Sequence, residues 1–290
     1  MRSDRVSVSS AGVQANGASQ NPLISADGRF VAFRSSASNL VTGDTNGQPD
    51  VFVRDRQTNT TTRVSVKSGG VQVTGGVSDE PAISDDGRYV AFQSDAANVV
   101  TGDTNGTTDV FRHDRQTNTT IRLSVSSGGV QSNGPSSDAT INGDGSRVAW
   151  KSSATNLVTG DTNGKEDIFV RLVTTNETIR ASLSDADAQV TNASSDPSLS
   201  TDGTKIGFYS TATTLVTGDT NNRGDVFIRD LVANATVRKS LTASGSQVND
   251  ASSAPWLAGD GTAIAFASVG TNLVPEDTDA TSDIYVRGPF

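Results

Sequence analysis

Apolar residues in this chain come in short bursts, set between polar stretches rich in Gly, Asn, Asp, Ser and Thr. In one such stretch, Pro81-Ala82-Ile83-Ser84 runs into Asp85-Asp86-Gly87, where the glycine offers the positive φ that a tight hairpin needs. A second strand, Tyr89-Val90-Ala91-Phe92-Gln93-Ser94, follows at once. A polar connection through Asn98-Val99-Val100 then leads to a third, Asp109-Val110-Phe111-Arg112-His113-Asp114. Gln116-Thr117-Asn118-Thr119 turns the chain into Ile121-Arg122-Leu123-Ser124-Val125, whose alternation marks a half-exposed strand. Four short antiparallel strands, the inner ones the more apolar, predict one blade of a β-propeller. Long helices are not expected.

The same pattern returns along the whole chain. Asp-Thr-Asn-Gly-x-x-Asp begins at Asp44, Asp103, Asp161 and Asp219, and in worn form at Asp277, with successive copies 58 or 59 residues apart. The pairs Asp27-Gly28, Asp86-Gly87, Asp144-Gly145, Asp202-Gly203 and Asp260-Gly261 keep the same intervals. The expected fold is therefore all-β, a single five-bladed β-propeller spanning 1–290 with four antiparallel strands per blade. Its repeats cover about 11–67, 68–126, 127–184, 185–242 and 243–290. Arg5-Val6-Ser7-Val8-Ser9 matches a fourth strand and Asp283-Ile284-Tyr285-Val286-Arg287 a third, so the N-terminal strand, about 4–10, is expected to complete blade five and close the ring. Phe33, Phe92, Trp150, Phe208 and Phe266, each after a small residue, read as packing between blades, with Phe52, Phe111, Phe169, Phe227 and Tyr285 beside them.

The Ser-x-Asp-Gly-Arg-x-Val-Ala-Phe run from Ser25 to Phe33 and the Asp-Val-Phe-Val-Arg-Asp run from Asp50 to Asp55 resemble the TolB-type propeller repeat family. This sequence departs from that repeat by lacking Pro in the Ser-x-Asp-Gly turn and by carrying the Asp-Thr-Asn-Gly insert. The resemblance covers the whole chain and implies a fold, not an activity. Propellers of this kind serve as protein-docking platforms, as sugar binders and as domains attached to peptidases.

A net charge of -9, with no Lys/Arg cluster, argues against nucleic acid as a partner. No stretch reaches the roughly 18 apolar residues of a membrane span. The absence of cysteine excludes disulfides, thiolate metal sites and cysteine nucleophiles. It leaves the compartment open, with an extracellular, cell-surface or periplasmic location expected ahead of the cytoplasm, and a monomer is expected.

The loops between strands two and three carry the acidic motif, and those joining successive blades carry a recurrent glutamine, Gln14, Gln72, Gln131, Gln189 and Gln247. Both sets belong to one face, where a protein or glycan ligand is expected. Positions one, three and seven of the motif could hold a calcium ion through carboxylate and amide oxygens. These are Asp44, Asn46 and Asp50; Asp103, Asn105 and Asp109; Asp161, Asn163 and Asp167; Asp219, Asn221 and Asp225; and Asp277, Asp279 and Asp283. The same residues equally describe a metal-free polar turn, with side chains bonded to backbone and glycine supplying positive φ. Catalysis needs unlike groups to converge, and five near-copies offer like ones: between Asn39–Val66 and Asn98–Val125, 21 of 28 positions are identical. The only histidine, His113, stands where other copies have Arg. No catalytic residue is assigned, and the expectation is a non-enzymatic binding or scaffold propeller. A multivalent lectin is the alternative, and a carboxylate-based glycosidase the more distant one.

Overall fold

The computed structural model describes residues 3–290, and among these there is no helix. The strands form five antiparallel sheets in chain order. The first holds β1 (Ser19–Ile24), β2 (Phe30–Ser35), β3 (Asp50–Asp55) and β4 (Thr60–Arg63). The second holds β5 (Ser78–Ile83), β6 (Tyr89–Ser94), β7 (Asp109–Asp114) and β8 (Thr119–Arg122). The third holds β9 (Ser136–Ile141), β10 (Arg147–Ser152), β11 (Asp167–Leu172) and β12 (Glu177–Arg180), and the fourth β13 (Ser194–Leu199), β14 (Lys205–Ser210), β15 (Asp225–Asp230) and β16 (Ala235–Arg238). The fifth has three strands, β17 (Ser252–Leu257), β18 (Ile264–Ser268) and β19 (Asp283–Arg287). The sheets are arranged about an axis, since β1, β5, β9, β13 and β17 all contribute side chains to one central cavity.

Each hairpin between first and second strands is built as the Asp-Gly pairs suggest. Asp27 Oδ1 accepts from Ser25 Oγ at 2.6 Å and from the Arg29 amide at 2.9 Å, while Gly28 takes φ 72°. The paired aromatics stack across β2–β3 and its equivalents; Phe92 and Phe111 lie 5.6 Å apart by centroid. These two rings share one apolar cluster with Ala32, Val51 and Val53 of the preceding sheet, so they are the glue between sheets. Fourth strands are stitched backwards as well: Thr120 Oγ1 donates to Val66 O, Thr178 Oγ1 to Val125 O and Thr236 Oγ1 to Leu183 O, at 2.6, 2.6 and 2.7 Å.

The expected closure by the N-terminal strand is not made. Val8 bridges Gln14, and its carbonyl accepts from Thr61 Oγ1 at 2.6 Å, which sets this segment against the first sheet; among the described residues no ladder joins Arg5–Ser9 to β19. The reason is spacing: successive sheets pack first strand on first strand from β1 to β17, whereas among the described residues no comparable packing joins β17 or β18 to β1. The five sheets form an arc, open between the fifth and the first.

Candidate functional site

In the four complete sheets the acidic motif closes on an arginine of the fourth strand. Arg63 Nη1 lies 3.1 Å from Asp44 Oδ1 and 3.2 Å from Asp50 Oδ2, and Arg180 Nη1 lies 3.4 Å from both Asp161 Oδ1 and Asp167 Oδ2. Arg122 bridges Asp103 and Asp109 at 3.4 and 3.6 Å, and Arg238 bridges Asp219 and Asp225 at 3.3 and 3.6 Å. The seventh-position Asp also accepts from a buried serine two residues beyond that arginine, as in Ser65 Oγ to Asp50 Oδ1 at 2.6 Å. Burial pushes the carboxyls of Asp44, Asp103 and Asp161 upward, and that of Asp225 up to about 6, against the pull of the arginines.

The motif asparagine is used locally. The Oδ1 atoms of Asn46, Asn105, Asn163 and Asn221 accept from the amide two residues on at 3.0–3.1 Å, the geometry of an Asx turn. Their amide groups donate to backbone carbonyls of the next connection, Asn221 Nδ2 to Val248 O at 3.0 Å for instance. The recurrent glutamine belongs to the same lock: Gln131, Gln189 and Gln247 donate to Asp103, Asp161 and Asp219 at 2.7, 3.0 and 2.8 Å, and Gln72 sits beside Asp44 and Thr45. Gln14 accepts instead from Arg5 at 2.7 Å. Gln72, Gln131, Gln189 and Gln247 thus tie the two loops of the face together.

A calcium site on Asp44, Asn46 and Asp50, or on the equivalent sets at Asp103, Asp161 and Asp219, does not fit this arrangement. Calcium takes six to eight oxygens at about 2.3–2.6 Å. Here one guanidinium already sits between the two carboxylates, the asparagine oxygen is committed to its turn, and a dication would meet a buried like charge. The fifth motif differs because its sheet has no fourth strand. Carboxylate oxygens of Asp277, Asp279 and Asp283 lie within 4.8 Å of one another, with no described arginine between them. Tyr285 Oη donates to Asp277 Oδ2 at 2.5 Å, and burial together with this carboxylate pushes the phenol up to about 12.

The unlike groups lie elsewhere, on the axis. Each first strand carries a bulge at which Asn21, Glu80, Asp138, Asp196 and Ala254 take positive φ, 47° to 55°. Left-handed backbone at non-glycine residues costs of order 1 kcal/mol or more each and marks positions where a side chain is being re-aimed. A proline follows four of the five, at Pro22, Pro81, Pro197 and Pro255, where a bulge spares it from a ladder bond. Asn21, Glu80, Asp138 and Asp196, with Pro22, Pro81, Pro197 and Trp256, line a cavity of about 310 Å³ at the mouth of the axial channel. The mouth lies toward the motif loops, because β1 pairs Ser19 with Ser35, the end of β2 from which the loop departs.

Three acids face this mouth. Burial and the neighbouring Asp138 push Glu80 up to about 7, and burial with Asp138 raises Asp196. Lys151 Nζ holds Asp138 at 2.6 Å and Arg34 Nε holds Asp79 at 2.9 Å. Trp256, which its sequence neighbours place within or beside a core strand, is 64% exposed. His113 has no part here: burial pushes it down to about 4, and its Nδ1 pairs with Thr120 Oγ1 at 2.9 Å.

No protein-family model and no curated protein matches this sequence. Among solved structures, the β-propeller domain of the trilobed protease from Pyrococcus furiosus, described as having an open velcro topology, aligns at 12% identity over 94% of this chain and 69% of its own length, with a TM-score of 0.51. Oligogalacturonate lyase in complex with manganese aligns at 12% identity over 95% of this chain and 63% of its own length, with a TM-score of 0.55. TolB from Acinetobacter baumannii aligns at 18% identity over 88% of this chain with a TM-score of 0.49, and the chain spans 50% of its length. At such identities the likeness shows the fold alone, and that fold is the β-propeller which the TolB-type resemblance implies. The expectation of a non-enzymatic protein is corrected: the fold is shared with a lyase. Its premise of equivalent groups also fails at the axis, where Asn21, Glu80, Asp138, Asp196 and Ala254 differ.

Proposed function

We infer that this propeller binds a cationic segment of a protein partner at its axial mouth. The observation that carries this reading is the set of five equivalent bulges, which aim Glu80, Asp138 and Asp196 at one opening beside an exposed indole. Carboxylates offer ion pairs to a lysine or arginine side chain, and the Trp256 face adds a cation–π contact. The net charge of -9 favours the encounter of a basic segment with this surface. The arginine-locked loops serve as the rigid rim that holds the mouth in shape. Exposure of Trp256 also supports a second reading, a glycan stacked on the indole with hydroxyls on the carboxylates.

Titration of Trp256 fluorescence with an oligolysine peptide separates the two. Glu80 ionises as pH rises through about 7, so peptide affinity is expected to increase from pH 6 to pH 8 by about tenfold, the value of one added charge interaction. Glu80→Gln should flatten that pH dependence, and Trp256→Ala should remove the signal while peptide binding measured by calorimetry weakens. Uncharged oligosaccharide binding with no such pH slope would favour the glycan, and no response to millimolar peptide at either pH would defeat the first reading.

A further inference from the structure

The opening of the arc leaves two unfinished surfaces with matching chemistry. On β19, Ile284 and Val286 are 75% and 72% exposed, whereas their counterparts Val226 and Ile228 are 0% and 3% exposed beneath the next sheet. Beside them the Asp277/Asp283 pair lacks the arginine, serine and glutamine that the pairs of the four complete sheets possess. Those three residues exist at the other end of the chain: Arg5, Ser7 and Gln14 stand 58 positions before Arg63, Ser65 and Gln72. Among the described residues no ladder joins them to β19. Thr61 Oγ1 to Val8 O at 2.6 Å, Thr61 N to Ser10 Oγ at 2.9 Å and Arg54 Nη1 to Ser9 O at 3.2 Å fix that segment on the first sheet, across the opening.

We propose that the edge of β19 and its acidic pair form a docking surface for the Arg5–Gln14 segment of a second copy of this chain. The segment would enter as the absent fourth strand, Arg5 bridging Asp277 and Asp283 as Arg63 bridges Asp44 and Asp50. Ser7 would donate to Asp283, and Gln14 would bond Asp277. Tyr285 Oη, now on Asp277, would keep that bond or yield it to Gln14. The contacts that hold the segment on its own first sheet need not break, because Val66 makes the same contact with Thr120 while following the fourth strand of its own sheet. Each copy offers one segment and one edge, so two copies can satisfy each other reciprocally about a twofold axis, covering Ile284 and Val286 of both.

Sedimentation velocity of the 290-residue chain at tens of micromolar tests this directly. The expected species has twice the 29.9 kDa chain mass. Arg5→Glu and Asp283→Arg are each expected to sediment as monomers, and an equimolar mixture of the two should recover the dimer. In that mixture the introduced carboxylate faces the introduced guanidinium at one junction, and the native pair forms at the other. A wild-type chain that stays monomeric overturns the proposal, as does an Arg5→Glu variant that remains dimeric. Folded single variants, verified by circular dichroism, whose mixture stays monomeric overturn it too, because closure of each chain by its own terminus cannot be rescued in trans.

Discussion

Replacing Arg180 by Met is expected to remove about 3–5 kcal/mol of folding stability, the usual cost of breaking a buried ion pair from one side. The side chains of Arg180, Asp161 and Asp167 are 8%, 1% and 0% exposed, so the two carboxylates left behind could not be hydrated without opening the loop. Ser182 would still donate to Asp167 at 2.5 Å and Gln189 to Asp161 at 3.0 Å, but neutral donors do not offset two neighbouring negative charges in this burial. Urea denaturation checks the loss. The triple variant Arg180→Met, Asp161→Asn, Asp167→Asn is expected to regain more than half of it, because the penalty lies in stranded charge and not in lost volume. A single variant within about 0.5 kcal/mol of wild type would mean that the loop does not depend on its arginine.

Gly87→Ala is expected to cost about 3 kcal/mol, while Gly102→Ala costs about 1 kcal/mol, although both glycines have positive φ. Gly87 has φ 70°, and a Cβ there would lie 2.1 Å from the Phe30 ring of the preceding sheet. Gly102 has φ 77° with no atom within 4 Å of the added carbon. Backbone strain is common to the two, so the difference isolates the clash between sheets. Thermal unfolding of both variants measures it. Equal losses would show that Phe30 moves aside freely and that this part of the interface between sheets is loose.

The ladders themselves are legible in the sequence because each rests on local signals. Strands Tyr89–Ser94 and Asp109–Asp114 have the bounds that their apolar runs predict, and the Asp-Gly turns form with the positive φ their glycines permit. The apolar run places the start of the first strand at Pro81, but that strand begins at Ser78. Proline inside a strand is itself the signal of a bulge, and Asn21-Pro22, Glu80-Pro81, Asp196-Pro197 and Ala254-Pro255 repeat it. That signal points away from the near-identical loops and toward the axial residues, where the copies diverge. The choice between a metal and a polar turn in the complete sheets is hidden for another reason. The counter-ion of Asp44 and Asp50 is Arg63, thirteen residues beyond Asp50 on a different strand, and only the β3–β4 register brings it back. Closure is beyond the sequence as well, since matching strands at the two termini specify what can pair and not how wide an arc five sheets make.

The central claim is that the repeated acidic loops are held by the protein's own arginines and act as a rigid rim, with recognition left to the axis. Thermal unfolding in millimolar calcium and in excess chelator tests it most directly, because a ligand that binds the native state at 100 times its Kd adds about 2.7 kcal/mol of stability per site. Superimposable curves with one midpoint are the predicted result. A midpoint that rises with calcium concentration, and does so equally in a variant lacking the Asp277, Asp279 and Asp283 carboxylates, would place metal in the four complete sheets and contradict the account.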